Sequence, residues 1–155
     1  MSNLTIRSAT LADIPEVLRQ RRGMYEDMNY TDANALTTMG KRTAEYLSQA
    51  MPNGTFRAWF AIDDDERPIA GAALIISPWP AHPYDLECRR ATILNVYTHP
   101  EYRRRGIARQ LMQTVIAWCK AEGLVRVTLH ASDQGRQLYE SLGFEPSNEM
   151  RLNLR

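Results

Sequence analysis

Residues 95–111 read Asn-Val-Tyr-Thr-His-Pro-Glu-Tyr-Arg-Arg-Arg-Gly-Ile-Ala-Arg-Gln-Leu. An apolar strand here leads into a basic turn that contains one glycine, and the turn leads directly into an amphipathic helix. The first N–H groups of a helix have no partner within the helix, and the helix dipole adds partial positive charge at the same end. The stretch therefore predicts a binding site for a phosphate or pyrophosphate at a helix N-terminus.

Side chains around this turn strengthen the prediction of an anion site. Gly106 lacks the Cβ that would keep a phosphate oxygen away from the main chain, and Ala108 has the next smallest side chain. Four arginines add positive charge around the turn, namely Arg103, Arg104, Arg105 and Arg109. The pattern favours a loop in which backbone N–H groups and guanidinium groups share one anion.

Composition restricts the class of protein. The chain has 155 residues, with 19 basic and 18 acidic side chains and a formal charge of +1, so no global field favours nucleic acid or an anionic membrane. Cys88 and Cys119 lack the spacing and the histidine neighbours of a metal site, so we expect reduced thiols and no metal. The first residues lack an apolar signal core and no long apolar run follows, which predicts a cytoplasmic protein.

Hydrophobic periodicity predicts alternating strands and helices along the whole chain. The predicted strands are residues 4–9, 56–62, 69–77, 92–98, 125–131 and 149–154, and the predicted helices are residues 11–28, 32–51, 105–122 and 133–142. The order β-α-α-β-β-β-α-β-α-β indicates a single α/β domain over residues 1–155, with a mixed central sheet flanked by helices.

The spacing Arg-x-x-Gly-x-Ala at Arg103, Gly106 and Ala108 resembles the pyrophosphate loop of the GNAT acyltransferase family. Residues 93–100 are similar to that family's central strand. Residues 127–144 resemble its closing strand and helix with a Leu-Gly-Phe corner. The three segments occur in the family's order, so the resemblance implies a GNAT fold for the chain.

The resemblance implies acetyl-coenzyme A as the cosubstrate. Its pyrophosphate is then expected on Arg104, Arg105, Gly106, Ile107, Ala108 and Arg109, with Arg103 as the first residue of the motif. Its pantetheine arm is expected to pair with the backbone of Val96, Tyr97 and Thr98. A patch that contacts nucleic acid is the alternative, but no interleaved aromatics and no second basic stretch support it.

The resemblance also suggests a catalytic role for Tyr139, which stands where family members carry a tyrosine near the coenzyme sulfur. A phenol with a pKa of about 10 stays protonated at neutral pH and can donate to a departing thiolate. The alternative is a core tyrosine packed beside Leu138 and Leu142. The family reading further places Tyr25, Glu26 and Tyr30 on the acceptor side, where charge and cation–π contact suit an amine.

No general base follows from the sequence. The glutamate that serves in the histone-acetylating branch of the family corresponds here to Thr92, so the role has no matching residue. Cys88 as an acyl-carrying nucleophile would need an activating base that the pattern does not contain. Nearby titratable side chains are His82, Glu87, His99 and His130.

The sequence thus favours an N-acetyltransferase in which a primary amine attacks the thioester directly in a ternary complex. A bulge near Asn95 or Val96 would leave a backbone N–H free to polarise the thioester carbonyl. The alternative from another class is a non-catalytic sensor of coenzyme A or acyl-coenzyme A. Polyamine, aminoglycoside, amino acid and protein N-terminus all remain open as acceptors. Family members often pair through C-terminal strands, so a homodimer also remains open.

Overall fold

The computed structural model describes residues 4–155. Its sheet contains β1 (Thr5–Ser8), β2 (Phe56–Ile62), β3 (Pro68–Pro78), β4 (Arg89–Thr98) and β5 (Val127–Leu129). The five strands lie in the order β1-β2-β3-β4-β5. Neighbouring strands are antiparallel except for β4 and β5, which are parallel and are joined through a helix. This mixed sheet confirms the predicted fold class.

The helices occupy the connections that the periodicity predicted. They are α1 (Ile14–Asp27), α2 (Ala33–Ala50), α3 (Ile107–Ala121) and α4 (Arg136–Ser141), and short 3₁₀ turns cover Leu11–Asp13 and Pro100–Tyr102. The Asp32 side chain accepts a hydrogen bond from the Ala35 N–H at 3.0 Å and so caps α2. Gly123 follows α3 with φ of +77°, a conformation that favours glycine and ends the helix.

Two hydrophobic clusters lie on opposite faces of the sheet. Trp59 belongs to the cluster under α3, whereas Phe60 belongs to the cluster under α1 and α2, because successive strand residues point to opposite faces. α3 contributes Ile107, Leu111 and Val115, which share one helical face. Both faces of β2 are therefore covered, which explains its nearly continuous apolar sequence.

β4 has a strand partner on both sides along only part of its length. β5 pairs with Ala91–Ile93 alone, so residues 94–98 have no strand partner on that side among the described residues. On the other side the register shifts, because Gly71 pairs with Tyr97 but Ala73 pairs with Leu94. Asn95 takes a left-handed φ of 55°. The structure thus confirms the predicted bulge at Asn95 and Val96.

The predicted last strand at residues 149–154 is wrong, because residues 145–155 form no regular secondary structure. Met150, Leu152 and Leu154 are 94%, 80% and 88% exposed, so their alternation buries nothing within this chain. A segment becomes a strand only when a neighbouring strand satisfies its backbone, and among residues 4–155 this one has no such neighbour. β5 is also shorter than expected. No helix within residues 4–155 has both the length and the apolar character needed to cross a membrane.

Asp13 fixes the connection between β1 and α1. Its carboxylate accepts hydrogen bonds from Arg7 Nη1 at 2.8 Å, from Arg7 Nη2 at 2.9 Å and from the Thr10 N–H at 2.7 Å. The hydrogen bonds from Arg7 are the main reason that the pKa of Asp13 falls from 3.8 to about 2. The charged carboxylate therefore stabilises the folded protein.

We expect Asp13→Asn to lower the free energy of unfolding at neutral pH by about 1 kcal/mol, since solvent screens this partly exposed pair. A lowered folded-state pKa gives stability that is present above the ordinary pKa of 3.8 and is lost as the pH falls through about 2. Urea denaturation at a series of pH values should show the difference between the two proteins shrinking over that range. A difference that does not change with pH would contradict the assignment.

Candidate active site

The turn between β4 and α3 has the backbone geometry of an anion-binding loop. Arg104 and Gly106 both take left-handed conformations, with φ of 63° and 75°. Gly106 is the N-cap of α3, and a Cβ built on it meets no atom within 4 Å. Successive N–H groups in such a turn converge on one concave surface, and the helix dipole adds to their positive potential. Open space therefore lies in front of the α3 N-terminus.

Three of the four arginines around this loop are engaged within the protein. Arg103 donates to the Thr98 carbonyl at 2.8 Å and to the Asp27 carboxylate, and its guanidinium lies over the Tyr97 ring. Arg105 stacks on Tyr102, and Arg109 donates to the Ser141 hydroxyl at 2.8 Å. Arg104 is exposed and has no such contact among residues 4–155. The sequence did not distinguish these arginines.

The stretch Val96–Thr98 follows the bulge and lies beside the gap left by β5. β3 still pairs with Tyr97 and Thr98 on the other side, which holds this half of β4 extended. The side chains of all three residues are only partly buried. A ligand that runs along this edge would meet backbone groups of an ordered strand, as an added strand does.

Tyr139 lies on α4 and is 8% exposed. Its ring packs edge-to-face against Phe144, with ring centroids 6.0 Å apart. A Cβ on Gly135 would lie 2.8 Å from this ring, so the glycine makes room for it. Burial raises the pKa of Tyr139 above its ordinary value of 10.0, with no hydrogen bond or charge contributing. The hydroxyl therefore stays protonated at neutral pH and is available as a donor.

The residues predicted on the acceptor side cluster at the C-terminal end of α1. The rings of Tyr25 and Tyr30 meet edge-to-face with centroids 5.3 Å apart, and Tyr30 is 58% exposed. The Tyr25 ring carries the guanidinium of Arg21 at 5.1 Å. Glu26 lies 3.7 Å from Arg22 as an ion pair. The structure thus brings the predicted residues together, but two of them already contact arginines.

The candidate bases do not converge on this site. Glu87 pairs with Arg89 at 2.6 Å, and Arg89 also donates to the Glu122 carbonyl beyond the C-terminal end of α3. The 15 residues of α3 span ~22 Å, so Glu87 and its neighbour Cys88 lie far from the anion loop. The Thr92 hydroxyl lies 3.3 Å from the Thr128 hydroxyl between β4 and β5.

The three histidines also lie apart from one another. His82 is in the loop between β3 and β4, where its Nδ1 accepts from the Tyr84 N–H at 3.1 Å. His99 is exposed beside Tyr102, and His130 is exposed 3.7 Å from Glu149. None of them has a partner that would orient it as a base. The geometry identifies no general base among the described residues.

Sequence reasoning missed Arg21, which reaches the centre of the site from α1. Its Nη1 donates to the Asn95 Oδ1 at 2.6 Å, across a separation of 74 residues. Asn95 is 6% exposed and is one of the few buried polar residues. The only signal in the sequence was an asparagine within an apolar strand, and it did not indicate a partner.

The model of the acetyltransferase (GNAT) family matches residues 22–144. The chain belongs to this family. A GCN5-related N-acetyltransferase from Ralstonia eutropha JMP134 is 30% identical with a TM-score of 0.89, and the match covers 98% of this chain and 99% of that one. A predicted acetyltransferase with acetyl-CoA from Clostridium acetobutylicum is 26% identical with a TM-score of 0.87, over 98% and 97% of the two chains.

The chain is also similar to a human N-acetyltransferase. Human N-acetyltransferase 8 is 25% identical over 123 residues, which are 77% of this chain and 50% of the human protein. The chain thus spans half the length of that relative. The match to the GNAT family model confirms the family resemblance that residues 93–144 predicted.

Proposed function

We propose that this GNAT protein is an N-acetyltransferase that transfers an acetyl group from acetyl-coenzyme A to a primary amine in a ternary complex. The single observation that supports it most is the open edge of β4, which runs from the bulge at Asn95 into the left-handed loop at the α3 N-terminus. A strand edge followed by an anion-binding loop suits a ligand with an extended arm and a pyrophosphate.

The residues present fit acetyl-coenzyme A, whose thioester supplies an activated acetyl group. The open space at Gly106 and the N–H groups of Gly106, Ile107 and Ala108 suit its pyrophosphate. Arg104, Arg105 and Arg109 are exposed at the same loop. The acetyl-CoA in the Clostridium acetobutylicum relative supports the same cosubstrate here. For Arg103 the proposal is limited to its backbone, because its side chain is bound to Asp27 and Thr98.

Groups of this chain account for two parts of the reaction, namely stabilisation of the carbonyl oxygen and protonation of the leaving thiolate. A neutral amine forms a C–N bond to the acetyl carbon while the C–S bond breaks, and the amine's proton passes to solvent water. The bulge exposes backbone N–H groups that can stabilise negative charge on the carbonyl oxygen. Tyr139 donates its hydroxyl proton to the leaving thiolate and recovers a proton from solvent.

We also propose that the protein is a homodimer that exchanges C-terminal strands. Met150, Leu152 and Leu154 alternate with polar residues in the sequence and are exposed. β5 has three residues and, within the described part of the chain, pairs with β4 alone. Residues 4–155 therefore include a segment outside the sheet and a sheet edge without a neighbouring strand. A twofold exchange would satisfy both at once.

Coenzyme A should raise the melting temperature of the wild-type protein, and Gly106→Ala should weaken this effect. A ligand bound only to the folded state at a hundred times its dissociation constant adds about 2.7 kcal/mol. The added methyl group would stand in the open space before α3, so we expect coenzyme affinity to fall about tenfold, the equivalent of one charge-assisted hydrogen bond.

Gly123→Ala is the matched control for this variant. Gly123 has nearly the same φ, +77° against +75°, but lies at the far end of α3. Both alanines strain the backbone in the same way, so both variants should lose similar stability without ligand. Equal coenzyme affinity in the two variants would place the phosphate site elsewhere.

Tyr139→Phe should lower turnover about 100-fold, because positioned acid catalysis contributes 10²–10⁴ and water partly replaces the hydroxyl. The ring keeps its contact with Phe144, so coenzyme affinity and melting temperature should hardly change. Burial raises the pKa of Tyr139 above its ordinary value of 10.0, so the hydroxyl stays protonated at neutral pH. Deprotonation of Tyr139 should therefore not reduce the wild-type rate near neutral pH. The measurement is thiol release with an amine that turns over.

Tyr46→Phe provides the comparison, because Tyr46 also packs edge-to-face on a phenylalanine but lies on α2. Its turnover should match the wild-type value. An unchanged rate for Tyr139→Phe under conditions limited by chemistry would remove Tyr139 from the mechanism.

Leu152→Asp should convert the dimer into a monomer at micromolar concentration, because a charge then faces the apolar contact. Asn153→Asp adds the same charge to the opposite face of the segment and should leave the dimer intact. Sedimentation equilibrium measures both. A monomeric wild-type protein would contradict the proposed exchange.

A further inference from the structure

Asn95 has a backbone conformation that needs support from elsewhere in the fold. It lies within β4 yet has φ of 55°, the left-handed region that residues with a side chain rarely adopt. Asparagine tolerates this region better than most residues, usually through a hydrogen bond to nearby backbone. Here its buried side chain instead accepts from Arg21 on α1 at 2.6 Å. A distant helix therefore holds the bulge.

Arg21 is itself held in an unusual position. Its guanidinium carbon lies 5.1 Å from the centroid of the Tyr25 ring, within cation–π distance. Its Nε is buried and has no hydrogen-bond partner among the described residues. The hydrogen bond to Asn95 is the one side-chain hydrogen bond that Arg21 makes among the described residues.

The residue before Arg21 enters the same place in the sheet. Gln20 is 5% exposed, and its Oε1 occupies the position that a Cβ on Gly71 would need. Gly71 pairs with Tyr97 beside the shift in register between β3 and β4. Two consecutive polar side chains of α1 thus enter the sheet at the bulge, and Gly71 leaves room for one of them.

We propose that Arg21 is a positioning residue that acts through Asn95. Its hydrogen bond holds Asn95 in the left-handed conformation, and this conformation sets the direction of the backbone at Val96 and Tyr97. The inference rests on the proposed function, in which this backbone meets the pantetheine arm and the thioester. The anion loop at Gly106 depends on its own backbone and on Arg103, so Arg21 acts on the acyl end of the ligand and not on its nucleotide end.

The test compares two ligands on the full-length protein by calorimetry. Coenzyme A contains the pantetheine arm, whereas adenosine 3′-phosphate 5′-diphosphate contains the nucleotide half alone. Arg21→Met keeps an unbranched aliphatic stem and removes the guanidinium, with its contacts to Asn95 and to the Tyr25 ring. We expect it to weaken coenzyme A about tenfold, as for one lost charge-assisted hydrogen bond, and to leave the nucleotide half unchanged. Arg22→Met, one residue along the same helix, should change neither ligand, because the ion pair of Arg22 in the described structure is with Glu26 at 3.7 Å and not with β4.

Variants at Asn95 show whether Arg21 acts through this residue. Asn95→Asp keeps the acceptor and should retain wild-type affinity for coenzyme A. Asn95→Gly accepts the left-handed φ but removes the acceptor, and should weaken coenzyme A as Arg21→Met does. Combining Arg21→Met with Asn95→Gly should then cause no further loss. Additive losses would show that Arg21 touches the ligand directly, and this outcome overturns the positioning role.

A merely structural role of Arg21 gives a different result. Arg21→Met would then lower the melting temperature, and the affinities for the two ligands would either fall by the same factor or both stay unchanged. Asn95→Gly provides the same test if Arg21→Met does not fold. The experiment needs no acceptor amine, so a protein that binds coenzyme A but acetylates nothing would refute the proposed function and leave this inference standing. Equal weakening of both ligands would refute the inference alone.

Discussion

The arrangement of this site depends on one constraint, namely that β4 loses its β5 neighbour after Ile93 while β3 continues alongside. A strand with unpaired backbone on one side must have those groups satisfied by solvent or a ligand. The bulge at Asn95 falls within the part of β4 that has no β5 neighbour, and it turns the backbone there. Both departures from a regular sheet occur where the strand leads into the anion loop.

α1 contacts the half of β4 that has no β5 neighbour. Its Asp27 binds Arg103, which also holds the Thr98 carbonyl, so the helix end and the loop are joined. A Cβ on Gly23 would lie 2.8 Å from the Tyr97 hydroxyl, so the Tyr97 side chain packs directly against α1. With Arg21 on Asn95, α1 contacts both the bulge and a residue that follows it. The helix therefore supports the half of β4 that has no β5 neighbour.

The sequence predicted those features that depend on local pattern. Apolar alternation located the sheet strands, and Gly106 after three arginines located the left-handed turn before α3, because both depend on neighbouring residues. The pattern at Met150, Leu152 and Leu154 was equally strong, yet no strand forms there, because pairing requires an edge that periodicity does not describe. Local pattern also gave Arg103 and Arg104 the same role at the turn. They differ because the Arg103 side chain binds Asp27, which lies 76 residues before it in the sequence.

The predicted acceptor side is harder to derive, because two of its side chains already contact arginines one turn earlier on α1. Tyr25 and Glu26 suggested a site for a cation, but Arg21 covers the Tyr25 ring and Arg22 pairs with Glu26. The positive charge on α1 therefore offsets much of the expected attraction for an ammonium group. A nearby positive charge lowers the pKa of an amine, since it disfavours the protonated form. The direct attack proposed above requires the neutral amine, and a site of this charge would favour that form. This agrees with a proposal in which no oriented base is assigned among the described residues.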